Sequence, residues 1–149
     1  MNTNWVNWKN RNQLSKLDQP GVYYLAHSTK NFSKMSFEII EDIIYIGMTI
    51  SQRGLKGRFS QFSTSMNGTI NRHGGGDRIY FRHKNSISKF LDNLYVSVQQ
   101  FPVSKNRDLP SDWRMKGKCV KQEYVGFADY IDKFKQLPEF NDHKRSPKK

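Results

Sequence analysis

Two short stretches, Gly21 to Ala26 and Ile43 to Met48, constrain this chain more than any others: each is dense in Val, Ile and Tyr and carries a glycine, an apolar residue and a tyrosine in a row. β-Branched and aromatic residues suit a pleated, half-buried surface, so both stretches read as strands. Paired on one sheet, they would bring the phenols of Gly21-Val22-Tyr23 and Tyr45-Ile46-Gly47 together. Leu94 to Phe101 alternates well enough to be a third strand. The reading is an α+β fold in which a small central antiparallel sheet of roughly three strands is flanked by helices. At 149 residues the chain is long enough for one core and too short for two.

The charge points to an anionic partner. Lys and Arg number 25 against 13 Asp and Glu, a net charge of +12, with a pI near 9.9. A basic balance of this size is the footprint of a nucleic-acid binder. An anionic membrane would instead call for an apolar run approaching ~20 residues or a basic amphipathic helix, and neither stands out. The lone Cys119 rules out an internal disulfide and cannot build a zinc cluster, which suits a reducing cytoplasm; its simplest role is that of a small buried hydrophobe. His27, His83 and His143 have no metal-ligand spacing, so a zinc site is not expected. The first twenty residues are polar and broken by Asn and Lys, unlike a secretory leader.

Helices are legible by period. Between Ser51 and Met66 the residues Leu55, Phe59, Phe62 and Met66 recur at core-facing spacing, with Arg58 flanking the stripe. Gly54 and Gly57 each cost about 1 kcal/mol relative to Ala, so an irregular start is expected. From Lys118 to Lys135, the stripe Val120, Tyr124, Phe127, Ile131 and Phe134 predicts a second core-facing helix. Glu123 falls on the flank of that stripe, whereas Asp129 and Asp132 point away. A carboxylate turned toward a core is costly unless it is paired or binds a metal.

The remaining segments organise the chain into an N-terminal arm or short helix over residues 1–19, a domain over 20–141 and a basic, flexible tail over 142–149. Trp5, Val6, Trp8, Leu14 and Leu17 give the arm something to pack with before Pro20 ends it. The link 28–42 is far longer than the two to five residues of a tight hairpin. It is either a nucleic-acid-contacting element or an extended hairpin. Asn67 to Asp77, with Gly68 and the run Gly74-Gly75-Gly76, reads as a flexible loop, and Arg78 to Leu91 stays open between strand and helix.

The tyrosine pair, followed by Gly47-Met48-Thr49, then Arg58 on a helix, Glu123 on a later helix, Pro138 and Asn141, resembles the GIY-YIG endonuclease superfamily, with Val22 in place of the middle Ile of the first motif. The resemblance spans roughly residues 20 to 141. It implies a catalytic set of Tyr23, Tyr45, Arg58, Glu123 and Asn141, with Glu123 as the ligand of a Mg²⁺ or Mn²⁺ ion. Several family members place a histidine one turn after the helix arginine; here that position is Phe62. His73 is then the best candidate for a proton shuttle, although a solvent-facing loop residue is the simpler account of it.

Phosphodiester hydrolysis needs an attacking water, a group to take its proton, cations for the charge of the transition state and help for the leaving oxygen. By resemblance, Glu123 would hold a hard cation that keeps most of its waters. Arg58 would clamp phosphate oxygens with its planar fork, Tyr23 would accept or relay the water's proton, and Tyr45 would position it. Tyrosine is a poor base at its ordinary pKa near ~10, so positive charge is required nearby, with Lys56, Arg53 and the metal as candidates. Ordinary strand packing is the alternative role for the two tyrosines, and a salt bridge that for Glu123.

Double-stranded DNA is the expected partner, contacted by Arg53, Lys56, Arg72, Arg78, Arg82, Lys84, Arg114, Lys116 and Lys118. Trp113 stands among the last of these, as a groove-contacting aromatic or as a core residue. The reaction expected is that of a metal-dependent DNA endonuclease, of restriction or mobile-element type, which needs a homodimer or two successive nicks to cut both strands. The competing readings are an inactive DNA- or RNA-binding module on a nuclease-like scaffold, and a translation-associated RNA binder that would explain the charge but not the tyrosine pair.

Overall fold

The computed structural model describes residues 1–148. Its centre is a four-stranded, wholly antiparallel sheet in the order β1-β4-β2-β3, formed by β1 (Val6–Asn7), β2 (Gly21–His27), β3 (Ile43–Thr49) and β4 (Leu94–Gln100). The helices are α1 (Gly54–Met66), α2 (Gly74–His83), α3 (Ile87–Asp92) and α4 (Pro110–Phe134), with 3₁₀ turns at Trp8–Gln13 and Glu139–Asn141. The fold is therefore α+β as the patterning implies. The fourth strand is the short β1, which the N-terminal arm adds beside β4. No helix among the described residues is long and apolar enough to cross a membrane.

β2 is buried along nearly its whole length because both faces of the sheet are covered. Tyr23 and Leu25 face α1, α2 and α3, where Leu55, Phe59, Phe62, Met66, Ile79 and Phe90 complete one core. Val22, Tyr24 and Ala26 face α4, where Cys119 and Tyr130 complete the other. The α1 stripe is buried as its spacing predicts. Its irregular start is also present: Gly54 has φ +64°, and a Cβ there would run into the backbone of Asp18. Buried Arg107 ties this corner together by donating to the carbonyls of Ser51 and Asp18.

Four expectations are corrected. The Gly74-Gly76 run is not loop but the first turn of α2, and Arg78 to Leu91 resolves into α2 and α3. Residues 28–42 do not extend the β2–β3 hairpin as strand but fold back on the body: Phe32 and Phe37 pack on Trp5, and Trp5 exchanges backbone hydrogen bonds with Lys34 and Met35. The tail is docked through Ser146, and residue 149 lies outside the described residues. Asp142 accepts from the amides of Lys144 and Arg145, Ser146 is buried, and Arg145 donates to the Leu137 carbonyl.

The fourth correction concerns α4, which begins at Pro110 and presents a different face to the sheet. Its buried residues are Asp112, Cys119, Gly126 and Tyr130; of the expected stripe Phe127 and Phe134 pack on the edge of that core, whereas Tyr124 is 66% exposed and Ile131 40%. Gly126 explains the rotation. A Cβ there would lie 2.8 Å from the Tyr24 hydroxyl, so the helix approaches closest along the line of its glycine. Small residues at the contact let the sheet's tyrosines stand under the helix.

Gly126→Leu should therefore force α4 off Tyr24. Overpacking of this kind costs about 1–3 kcal/mol, which urea unfolding should report as a lower midpoint with an unchanged slope.

Candidate active site

Tyr23 from β2, Tyr45 from β3, Arg58 from α1 and Glu123 from α4 lie near enough, toward the β3 edge of the sheet, for the charges of Arg58 and Glu123 to act on both phenols. Tyr23 pairs with Gly47, and Leu25 with Tyr45, so both phenols share the face packed on α1. Their ring centroids are 6.0 Å apart. Gly47 makes this possible, since a Cβ at that position would lie 2.5 Å from the Tyr23 hydroxyl and 2.8 Å from Tyr45 Cε1. Gly75 serves the same end from α2, where a Cβ would come 2.6 Å from Tyr45 Cε2.

His73 is not a solvent-facing loop residue. It caps α2, is 3% exposed and lies 2.8 Å by Nε2 from the Tyr23 hydroxyl oxygen. Its Nδ1 accepts from the amides of Gly75 at 3.1 Å and Gly76 at 3.2 Å. A neutral imidazole has one donor and one acceptor nitrogen, so the occupied Nδ1 puts the hydrogen on Nε2, which donates to Tyr23. Burial first, then the charges of Arg58 and Arg78, hold its pKa down to about 3. The ring stands 4.4 Å from that of Phe62. The imidazole that α1 lacks thus reaches the phenols from the start of α2, a residue that is neutral at physiological pH and already donates the proton it carries.

The phenols are held protonated. Burial and then the Tyr45 neighbour raise Tyr23 well above its ordinary value, while the charge of Arg58 opposes them. Tyr45 is raised by burial and lowered by Arg58. Arg58 Nε is a buried donor with no acceptor, and its NH1 donates to Gln61 at 3.1 Å. Glu123 is half-buried on α4, its pKa pushed up by burial and drawn back by Arg58. No salt bridge or hydrogen bond engages its carboxylate among the described residues.

These features bear on a divalent metal. Among the described residues no three His, Cys, Asp or Glu side chains gather into a cage. A single carboxylate, partly desolvated and unpaired, is nevertheless a donor set that suits a hard cation of the Mg²⁺ type, which keeps several waters and takes one or two protein carboxylates. The residues present fit such an ion.

Asn141 does not reach toward the phenols. Its amide accepts from the Ile46 N–H at 2.8 Å and donates to the Ile46 carbonyl at 2.9 Å, which extends the ladder past the outer edge of β3. It positions the second tyrosine strand. Arg53 and Arg58 line a cleft of about 370 Å³ with Thr49, Ser51, Gln52, Gly57 and Gln61. Lys56 and Arg72 are exposed on the same side of the molecule, along α1 and before α2. Lys56 and Arg53 are not among the charges that act on the phenols; the cations that lower Tyr45 are Arg58 and then Arg78, and Glu123 opposes them.

Arg78 and Arg82 are not free basic contacts. Arg78 is buried, donates to the Phe140 carbonyl and stands 2.9 Å from His143 Nε2, while Arg82 bridges Glu139 and the Arg145 carbonyl. Both fasten the C-terminal segment to α2. Lys84, Arg114 and Lys118 are exposed, and Lys116 lies over the ring of exposed Trp113 while donating to the Arg107 carbonyl. Trp113 is therefore not a core residue. Gly75, Gln61 and the electrostatic role of Arg78 had no signal in the sequence beyond the glycine run itself. Comparison with protein-family models, curated proteins and solved structures finds no match to this chain.

A histidine kept neutral by the fold stabilises it above its unfolded pKa of ~6.5, and that stability is lost as pH falls toward the folded value, at up to about 1.4 kcal/mol per unit. His73→Asn, which keeps a cap and loses the titration, should shrink the fall in urea midpoint between pH 7 and pH 4.5 by the equivalent of roughly 2 kcal/mol. Equal falls in the two proteins would mean that His73 is not buried in its neutral form.

Proposed function

We propose that this protein is a metal-dependent endonuclease that hydrolyses phosphodiester bonds in double-stranded DNA. The observation that carries the reading is the convergence of two phenols, a guanidinium and an unpaired carboxylate from four separate elements on one sheet edge, on a chain of net charge +12. Packing alone gives no reason for it. A buried phenol pair needs no guanidinium with an unsatisfied Nε, and a half-buried carboxylate is costly without a partner.

In the proposed reaction Arg58 turns its fork of donors to the non-bridging oxygens of the scissile phosphate, where charge develops. Glu123 would hold a Mg²⁺ or Mn²⁺ ion, which supplies Lewis-acid polarisation of the phosphate and neutralises the leaving oxygen. Tyr23 handles the proton of the attacking water. In the resting protein it is a buried phenol that accepts a hydrogen bond from His73 Nε2, so it can take a proton only as a phenolate, and Arg58 Nε–H is the donor at hand to stabilise that form. His73 cannot relieve Tyr23 of its proton, because Nε2 already carries one. Tyr23 is fully buried, so substrate binding has to open the way for water. Exposed Arg53 and Arg72 beside the cleft, and Lys56 farther round α1, supply phosphate contacts that set register without reading sequence.

A DNA-binding module without activity is the second reading, favoured by the complete burial of Tyr23. Incubation with supercoiled plasmid and Mg²⁺ separates the two: nicked or linear product supports the enzyme, and retardation without cleavage supports the module.

For the enzyme, Glu123→Ala should abolish cutting while affinity for duplex stays within a few-fold, since cations supply the binding. The rate with wild-type protein should rise with pH through at least pH 9, because the phenolate fraction grows about tenfold per unit below its pKa. Tyr23→Phe should slow single turnover by ~10²–10⁴-fold and flatten that rise. A pH profile that Tyr23→Phe leaves unchanged would return Tyr23 to packing.

A further inference from the structure

The outer face of α4 carries an apolar stripe that the monomer leaves largely uncovered, only Phe127 packing in part on the core beneath the helix. Trp113, Gly117, Val120, Tyr124, Phe127 and Ile131 follow one another at alternating spacings of four and three, the a/d pattern of a two-helix seam. Trp113 is 64% exposed, Tyr124 66% and Ile131 40%, and Val120 and Phe127 are only half-buried. The buried line of the helix, Cys119, Gly126 and Tyr130, lies on another face. So α4 has a second apolar face, which its own chain covers only in part and at Phe127.

Gly117 is the second observation. Glycine is among the poorest residues in a helix interior, and a Cβ here would meet nothing within 4 Å. Nothing among the described residues requires its small size, whereas a surface packed on α4 from outside would.

We propose that this face is the contact surface of a homodimer in which α4 lies antiparallel against α4 of a second copy. With the twofold axis passing near residue 122, the seam pairs a with d positions throughout: Trp113 opposite Ile131, Gly117 opposite Phe127 and Val120 opposite Tyr124. The absent side chain of Gly117 leaves a hole for the part of the Phe127 ring that its own core does not cover. Charge favours the same orientation. Exposed Arg114, Lys118 and Lys121 mark the N-terminal half, and Asp129 and Asp132 the C-terminal half. The two lysines near the end of the helix are turned onto their own chain, Lys133 to the Ile39 carbonyl and Lys135 to the Asp132 carbonyl. An antiparallel pair sets Arg114 of one copy near Asp132 of the other, whereas a parallel pair would oppose like charges. A seam of 3.5-residue period implies a left-handed crossing near ~20°.

Self-association is read without DNA or metal, so it stands or falls separately from the nuclease reading. Sedimentation velocity of the wild type from about 1 to 100 µM should show a concentration-dependent dimer. Tyr124→Glu should sediment as a monomer. Gly117→Leu should weaken the dimer at least ~10-fold while raising the melting temperature of the dilute protein, since it improves helix propensity and fills no space inside the monomer. A wild type that stays monomeric across that range, or both variants assembling as the wild type does, overturns the proposal. So does a result in which the variants leave assembly unchanged and weaken duplex binding instead, which would make the face a nucleic-acid surface.

Discussion

The hydrogen-bonded chain from the Gly75 and Gly76 amides through His73 to the Tyr23 hydroxyl is the contact on which the site depends. Each link fixes the next. The first amides of α2 have no helical partners, so they claim the lone pair of Nδ1. That claim puts the imidazole hydrogen on Nε2, and Nε2–H then fixes the Tyr23 hydroxyl as an acceptor in a core with no water to rescue it. Phe59, Phe62 and Tyr45 close around the phenol, and the glycines at 47 and 75 are the concessions that let them do so. Burying two tyrosine hydroxyls is tolerable because at least one is bonded; an unmade bond there would cost about 1–3 kcal/mol.

Much of this frame was legible in the sequence, and the reasons are local. Val-, Ile- and Tyr-rich runs could only be strands, and Leu55, Phe59, Phe62 and Met66 could only be one buried helical face. Periodicity failed on α4 because it reports that a helix has an apolar face without saying what covers it. The sheet took the line of Cys119, Gly126 and Tyr130, where a glycine, a cysteine and one aromatic make a weak hydrophobic signal and a good steric fit. The tail and the Gly74-Gly76 run were misjudged for a related reason. Composition marks both as mobile, yet the ordering groups are distant in sequence: Arg78 and Arg82 for the tail, the Tyr45 ring for Gly75.

Site residues divide in the same way. Tyr23, Tyr45, Arg58 and Glu123 announce themselves by type and spacing. Asn141 was legible as a residue of interest, and only the structure gives its task, the two bonds that finish the free edge of β3 at Ile46. Arg78 was legible as a cation and turned out to be a buried one. Its charge bears on Tyr45 and His73 while its hydrogen bonds hold the segment after α4.

Burial sets a conflict at the heart of the proposed chemistry. A phenol enclosed by aromatics keeps its proton, and a base must lose it. Arg58 is the one group placed to resolve this, because it touches all three titrations: it lowers Tyr23 and Tyr45 and draws Glu123 toward its charged form. The same guanidinium cannot satisfy every partner at once. An arriving phosphate would compete for it through the NH1 amine now bonded to Gln61, which leaves the buried and unpartnered Nε as the donor a phenolate could use. Lysine has no such division of donors, being a single point charge on a flexible stem. Arg58→Lys should therefore retain much of the affinity for duplex and lose most of the rate, whereas Arg58→Gln should lose both. A lysine variant that cuts within a few-fold of wild type would show that charge alone suffices, and that the buried Nε has no part in the proton transfer.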